Sequence, residues 1–390
     1  MNVVYLDNNA TTRVADEVRE AMIPYLSELY GNPSSMHTFG GQVHRKIENA
    51  REHVAAMINA DPEEIIFTSC GTESDNTALM SALLSRPERR HIITTRVEHP
   101  AVLNFCKSMA RRGYRVTFLP VDTLGRLDLD ELVSSITDDT AIMSIMHANN
   151  ESGVIFPVKE IASIVKSKGA LFHTDAVQTV GKIPVDVKKI PCDMMSLSGH
   201  KMHAPKGVAA LYIKRGTPFS AYIIGGHQES GRRGGTENVA SIIGFGKAGE
   251  LAREHVQSGS SKMKDLRDRL QQVLLDSCPG TRVNGDPLNR IPNTLNISFE
   301  YVEGEAILLR LNEYNVCASS GSACTSGSLE PSHVLRSMGV PYTAIHGSVR
   351  FSLSRYSTDE EIAFVLEKLP PIINELRELS PYGRDVKEVK

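Results

Sequence analysis

Short apolar runs alternate with longer amphipathic stretches through the first half of the chain. The strand-like runs are EEIIFTS, HIITTRV, RVTFLPV, AIMSIMHA, ALFHTDA, DMMSLS and VAALYIK. Between them the pattern predicts helices, among them one from Glu73 to Leu84 and one from Val158 to Lys168. Strands alternating with helices of this length argue for βαβ units and hence an α/β fold on a mainly parallel sheet. In such sheets ligands collect at the C-terminal ends of the strands, so those ends are where chemistry is sought.

The pattern then changes. Glu237 to His255 reads as one helix, and Ser258-Gly259-Ser260-Ser261 is a small polar break before the helical, charge-alternating KMKDLRDRLQQVLLDS. A chain of 390 residues exceeds one ordinary core, and the boundary is placed at this break. Residues 1–258 form the expected large domain, with an N-terminal segment free to pack on the smaller one. Residues 259–390 form the expected smaller α+β domain, with strands in NTLNISFE and SVRFSLS and helices from Glu305 to Asn312 and Thr358 to Leu379. Gly244-Phe245-Gly246-Lys247-Ala248-Gly249 matches G-x-G-x-x-G but lies inside a helical stretch. It fails the strand-turn-helix context of a dinucleotide site, and close helix packing accounts for the glycines better.

Composition narrows the class. The chain is 41% hydrophobic and 23% charged, within the globular range. A net charge of -3 with no long Lys/Arg run gives no reason to expect nucleic acid or an anionic membrane surface. The start, MNVVYLDNNATT, lacks the basic and apolar regions of a signal peptide. No apolar run approaches the roughly 20 residues of a membrane span, so no membrane association and a cytoplasmic location are expected. The 6 Cys contain no C-x-x-C pair. Cys70, Cys106, Cys192, Cys278 and Cys317 read as small buried hydrophobes. His200 and His203 have no third ligand nearby, so no metal is expected there.

Candidate chemistry gathers at the strand ends. Ser198-Gly199-His200-Lys201 follows DMMSLS, placing a lysine where its amine can form a Schiff base with an aldehyde cofactor, with Ser198 and His200 as phosphate donors. Asp175 ends ALFHTDA; a buried carboxylate there keeps a pyridine nitrogen protonated and makes the ring an electron sink. A helix N-cap is the alternative role for Asp175. Gln178 can donate to a phenolic oxygen. Gly71 and Thr72 sit in a turn before a helix, where free N–H groups and a partial positive charge suit an anion. His99 follows HIITTRV, placed to stack on a ring and to move protons. Asn149-Asn150 follow AIMSIMHA, offering an amide to cofactor or substrate. Cys324 lies in SSGSACTSGS, a run of small residues that reads as a mobile loop and makes it a candidate nucleophile rather than a core filler.

In order, YLDNNATT, GNPSSMH, FTSCGTESDN, VEHPAV, ANNESG, HTDAVQ, SGHKMHAPKG, GGHQESGRRGGTEN and SSGSACTSGSLEPSHVL span nearly the whole chain. With these segments the chain resembles the cysteine desulfurases of the NifS/IscS branch, fold-type-I pyridoxal 5'-phosphate (PLP) enzymes of the class-V aminotransferase family. The resemblance implies a seven-stranded, mainly parallel sheet in the large domain. It implies Lys201 as the Schiff-base lysine, Asp175 on the ring nitrogen, Gln178 on the phenolic oxygen, His99 stacked on the ring and Asn150 near cofactor and substrate. It implies Gly71, Thr72, Ser198 and His200 at the phosphate, with Thr236 reaching the partner subunit's phosphate in a homodimer. Arg350 takes the substrate carboxylate, a role its bidentate fork suits. Cys324 becomes the nucleophile that strips sulfur from L-cysteine and carries it as a persulfide to an iron–sulfur scaffold of the NifU/IscU type. No resident metal is implied; only a transferred iron–sulfur cluster would touch Cys324. The loop wording is closest to the NifS type, which points to nitrogen fixation. A selenocysteine lyase or another aminotransferase-family reaction is the alternative.

Overall fold

The computed structural model describes residues 3–258, 261–320 and 331–381. A short strand, β1 (Val4–Tyr5), precedes the large sheet. That sheet contains β2 (Ile65–Thr68), β3 (His91–Thr95), β4 (Arg115–Leu119), β5 (Thr140–Ser144), β6 (Leu171–Asp175), β7 (Met194–Ser198) and β8 (Ala209–Ile213). Their spatial order is β2-β8-β7-β6-β5-β3-β4. β8 runs antiparallel to both of its neighbours, and the other pairings are parallel. All but the edge strand β4 are buried along their length, as helices on both faces require. Alternation divides each strand between two cores. Phe67, Ile93, Met143 and Phe172 enter one, and Ile66, Ile92, Ile142 and Leu171 the other.

A four-stranded antiparallel sheet follows: β9 (Thr281–Val283), β10 (Thr294–Phe299), β12 (Ser319–Ser320) and β13 (Ser348–Ser352), in the order β12-β13-β10-β9. Its core combines Leu295, Ile297, Val349 and Phe351 with Leu266 and Leu270 of one helix and Ile362 and Val365 of another. Val4 and Leu6 belong to this core too, because β1 pairs in parallel with β11 (Val316–Cys317). The N-terminal segment then crosses to the large sheet: Asn8 N–H bonds the Ser352 carbonyl and Thr12 N–H bonds the His200 carbonyl. Residues 7–12 thus lie between the two sheets.

Gly244, Gly246 and Gly249 lie within the helix Val239–Ser258. A Cβ on Gly246 would come within 2.6 Å of Ala50 and one on Gly249 within 3.3 Å of the His53 carbonyl, so these two serve contact with the helix Thr38–Ala56, while one on Gly244 would meet Met22 at 2.7 Å. Two cysteines depart from expectation. Cys70 is exposed and Cys317 half-buried, because Cys70 occupies the open N-cap turn after β2 and Cys317 ends a two-residue strand. Among the described residues no helix is long and apolar enough to cross a membrane.

Candidate active site

The C-terminal ends of β3, β5, β6 and β7 and the start of the helix Gly71–Ser85 meet around a cavity of about 370 Å³. Gly71, Thr72, His99, Asn150, Asp175, Gln178, Ser198, His200 and Lys201 line it, and Arg350 enters from β13. Thr236 does not; it is exposed in the segment before the helix Val239–Ser258. Cys324 lies outside the described residues.

Lys201 ends a 3-10 turn, Gly199–Lys201, that follows directly on β7. The turn needs Gly199: a Cβ there would meet Ala204 at 3.0 Å and the Val208 carbonyl at 3.2 Å. Lys201 Nζ donates to the carbonyls of Asn9 and Ala10. His200 Nδ1 lies 3.2 Å from Thr11 Oγ1. The segment between the sheets therefore holds the lysine turn from above.

Asp175 ends β6 and is buried; its Oδ1 accepts the Val177 N–H at 2.9 Å. It lines the cavity, and the helix N-cap alternative is not met, because a turn and not a helix follows β6. Burial raises the Asp175 pKa to about 6, with the Val177 N–H and the Lys201 charge pulling the other way. Behind it stands Asp75, also buried, with Oδ1 3.7 Å from His173 Nε2. Burial, then the charge of Asp175, push Asp75 well above the usual carboxylate range. The ionised form is thus disfavoured at Asp75 by burial and by the charge of Asp175, while the Val177 N–H and Lys201 favour it at Asp175. His173, bracketed by Ser144 Oγ at 2.8 Å and Ser196 Oγ at 2.9 Å, is driven by burial to about 3 and stays neutral.

His99 caps the helix Pro100–Arg111, its Nδ1 accepting the Ala101 N–H at 3.2 Å. The ring proton therefore sits on Nε2. Burial, and then the Lys201 and His333 charges, lower its pKa to about 4, so the ring is neutral at physiological pH. Arg350 is 2% exposed; Nη2 donates to Asp7 Oδ1 at 2.8 Å and Nη1 to the Asn150 carbonyl at 3.1 Å. Asn149, the other member of its pair, turns away. Its Oδ1 accepts the N–H groups of Glu151 and Ser152, and its amide donates to the Val97 carbonyl.

At the other end of the cavity the helix Gly71–Ser85 points its free N–H groups inward. A Cβ on Gly71 would meet Val177 at 3.3 Å and Ser198 at 3.7 Å. Ser198 Oγ is buried and without a hydrogen-bond partner among the described residues. A buried hydroxyl left unbonded beside a helix N-terminus is a vacant donor for an anion.

The family profile described as Aminotransferase class-V matches residues 4–365. A cysteine desulfurase of Trichormus azollae is 60% identical over 385 residues, covering 99% of this chain and 96% of its own. Cysteine desulfurase NifS of Azotobacter vinelandii is 57% identical over 380 residues, covering 97% and 94%. A solved structure described as a NifS-like protein superposes with a TM-score of 0.90 at 41% identity, covering 96% of this chain and all of that one. The chain belongs to the class-V aminotransferases, among their cysteine desulfurases.

This family works with PLP, and the cavity suits that group chemically. It offers an amine at Lys201, a buried carboxyl at Asp175 and an unbonded hydroxyl at Ser198 beside a helix N-terminus. These are the needs of an aldehyde, a pyridine nitrogen and a phosphate. Several lining residues were not singled out from the sequence: Asn9, Ala10, Cys70, Asp75, Met146 and Val177. Asp75 was within reach. It lies one helical turn past Gly71, and helical side chains lean toward the N-terminus, here toward the cavity. Asn9 carried no such signal, since its place depends on a crossing between two sheets.

Proposed function

We propose that this chain converts L-cysteine to L-alanine and holds the removed sulfur as a persulfide on Cys324 for delivery to an iron–sulfur scaffold protein. The observation that carries this is the gathering of Lys201, Asp175, His99 and Arg350 around one cavity, in a chain 60% identical to a cysteine desulfurase over nearly its full length. PLP, when bound, supplies an electron sink that makes the substrate Cα–H acidic. Gly71, Thr72, Ser198 and His200 would hold its phosphate, Asp175 its ring nitrogen, Gln178 its phenolic oxygen, and His99 one ring face.

Arg350 holds the substrate carboxylate and Asn150 lines the same end. Lys201 Nζ takes the Cα proton and returns it. The thiolate of Cys324 attacks the substrate sulfur: an S–S bond forms, the Cβ–S bond breaks, and the electron pair left on Cβ is protonated. One L-cysteine and one Cys324 thiol thus become one L-alanine and one Cys324 persulfide, with no outside oxidant. A free thiol with a pKa of about 8.5 makes the attack slow at low pH. The division at residues 258/259 separates the part carrying most cofactor contacts from the part carrying Arg350 and Cys324.

The test is product analysis of the PLP-loaded protein with L-cysteine and a thiol reductant. Alanine and sulfide appear in equal amounts, and Cys324→Ala keeps the yellow cofactor colour while abolishing sulfide. Alanine formation that survives Cys324→Ala refutes the persulfide route.

A further inference from the structure

Lys182, seven residues past Asp175, carries no role in the mechanism above. Its side chain is buried at 6% exposure. Nζ donates to Gln178 Oε1 at 2.6 Å and to Asn9 Oδ1 at 3.2 Å. Both acceptors are neutral amide oxygens, and no carboxylate pairs with this amine among the described residues. Burial, followed by the charges of Lys201 and Arg350, holds its pKa well below that of an ordinary lysine. A lysine kept in such a place at electrostatic cost is not a generic core residue.

What Lys182 fixes is the direction of two amides. A side-chain amide presents an oxygen at one edge and an NH2 at the other, and a misplaced one can turn over. With Oε1 turned to the Lys182 N–H, Gln178 must present Nε2 on its other edge, where it donates to the Asn9 carbonyl at 3.1 Å. Asn9 is constrained in the same way. Its Oδ1 also accepts Asn293 Nδ2 at 3.0 Å, while its Nδ2 donates to the Asn150 carbonyl at 3.1 Å and to Thr294 Oγ1 at 2.8 Å. The Asn9 carbonyl that receives Gln178 also receives Lys201 Nζ. One hydrogen-bonded chain therefore runs from Lys182 through Gln178 and Asn9 to Lys201.

We propose that Lys182 is a positioning residue that locks the Gln178 amide with its NH2 toward the cofactor's phenolic oxygen and, through Asn9, sets the carbonyl that receives Lys201. The inference rests on the PLP reading above. Without Lys182 the Gln178 amide is free to present its oxygen to another oxygen, which costs a hydrogen bond and adds a repulsion.

The test is a double-mutant cycle of Lys182→Met and Gln178→Ala on the PLP-loaded protein. It reads the pH midpoint of the visible absorption band, the PLP dissociation constant and the thermal midpoint. Each single variant is expected to shift the band midpoint and to weaken PLP binding about tenfold, the scale of one hydrogen bond. Adding Lys182→Met to Gln178→Ala then changes PLP binding by less than about twofold, because coupled residues do not add. Independent, multiplying effects would overturn the proposal, as would an unmoved band midpoint with only a lower thermal midpoint. Should Lys182→Met fail to fold, Lys182→Gln enters the same cycle and is judged on the same readouts. An unsubstituted protein with no visible band after PLP addition would overturn the cofactor reading first, and this inference with it.

Discussion

Arg350 is among the most deeply buried large side chains, and its environment is divided. Nη2 and Nη1 are occupied by Asp7 and by the Asn150 carbonyl, while Nε has no partner among the described residues. The Asp7 carboxylate fixes the plane of the guanidinium before any substrate arrives, and a substrate carboxylate meets a preset fork. Lysine at this position keeps the charge but cannot serve Asp7, Asn150 and a ligand in one plane. Arg350→Lys is therefore expected to raise KM for L-cysteine roughly ten- to a hundredfold, the worth of one charge-assisted hydrogen bond, with the PLP spectrum unchanged. Steady-state kinetics across a cysteine titration decide this; an unchanged KM would move the carboxylate site elsewhere. Residues of this kind were legible in the sequence when their type matched a cofactor's need, as with Lys201 and Asp175. Those acting on other residues were harder to read: Asn9 and Lys182 have no chemistry of their own until the fold shows what each one touches, and Asp75 is marked only by its place one helical turn past Gly71.

At the scale of elements, the ends of parallel strands do more than display ligands. They also bury acids. Glu98, after β3, is fully buried, accepting the Met146 N–H at 3.1 Å and the Thr95 hydroxyl at 2.8 Å, yet burial still lifts it to about 8. Glu151, after β5, is lifted by burial to about 7 despite Ser332 Oγ and the nearby Arg350. In the unfolded chain both titrate near 4.3. The folded state thus keeps protons that the unfolded state releases. The stability these protons lend is complete below the unfolded value and is lost as pH rises through about 7 and 8. The parent should therefore lose thermal stability relative to Glu98→Gln as pH rises from 5 to 8, because the amide has no proton to lose, while buried neutral His99 and His173, whose lowered pKa values act with the opposite sign, contribute equally to both proteins. Melting curves across this range are the check; a slope as steep in the variant as in the parent would mean that Glu98 is ionised throughout. The strands that end at these acids were readable from their apolar runs. The helix starting at Gly71 rather than Glu73 was off by two residues, since Gly71 and Thr72 carry no apolar periodicity to mark a first turn.

For the whole molecule the deciding residue is Thr236, which is exposed and does not line the cavity of its own chain. The segment leading to it is firmly held. Glu229, at φ 48°, bonds the Phe67 N–H at 3.0 Å and pairs with buried Arg51 at 2.6 Å, and the Arg51 guanidinium lies over the Phe67 ring. The surface of the same segment mixes charged Arg232 and Glu237 with Ile224, which is 87% exposed, and Tyr222 borders a second depression that also touches Thr72 and His99. Exposed apolar side chains next to a held segment suit contact between two copies, the arrangement that a shared site needs. If Thr236 serves the phosphate of the partner subunit, two defective chains can rescue each other. Lys201→Ala spoils a chain's own site, and Thr236→Asp spoils only its partner's, by setting a carboxylate against the phosphate. In a mixed dimer both defects fall in one site and leave the other intact. Unfolding, mixing and refolding the two inactive variants should then restore about a quarter of parental activity, from half the dimers with half their sites. Were Thr236 to act within its own chain, every site in the mixture would carry one defect and the mixture would stay as inactive as its parts.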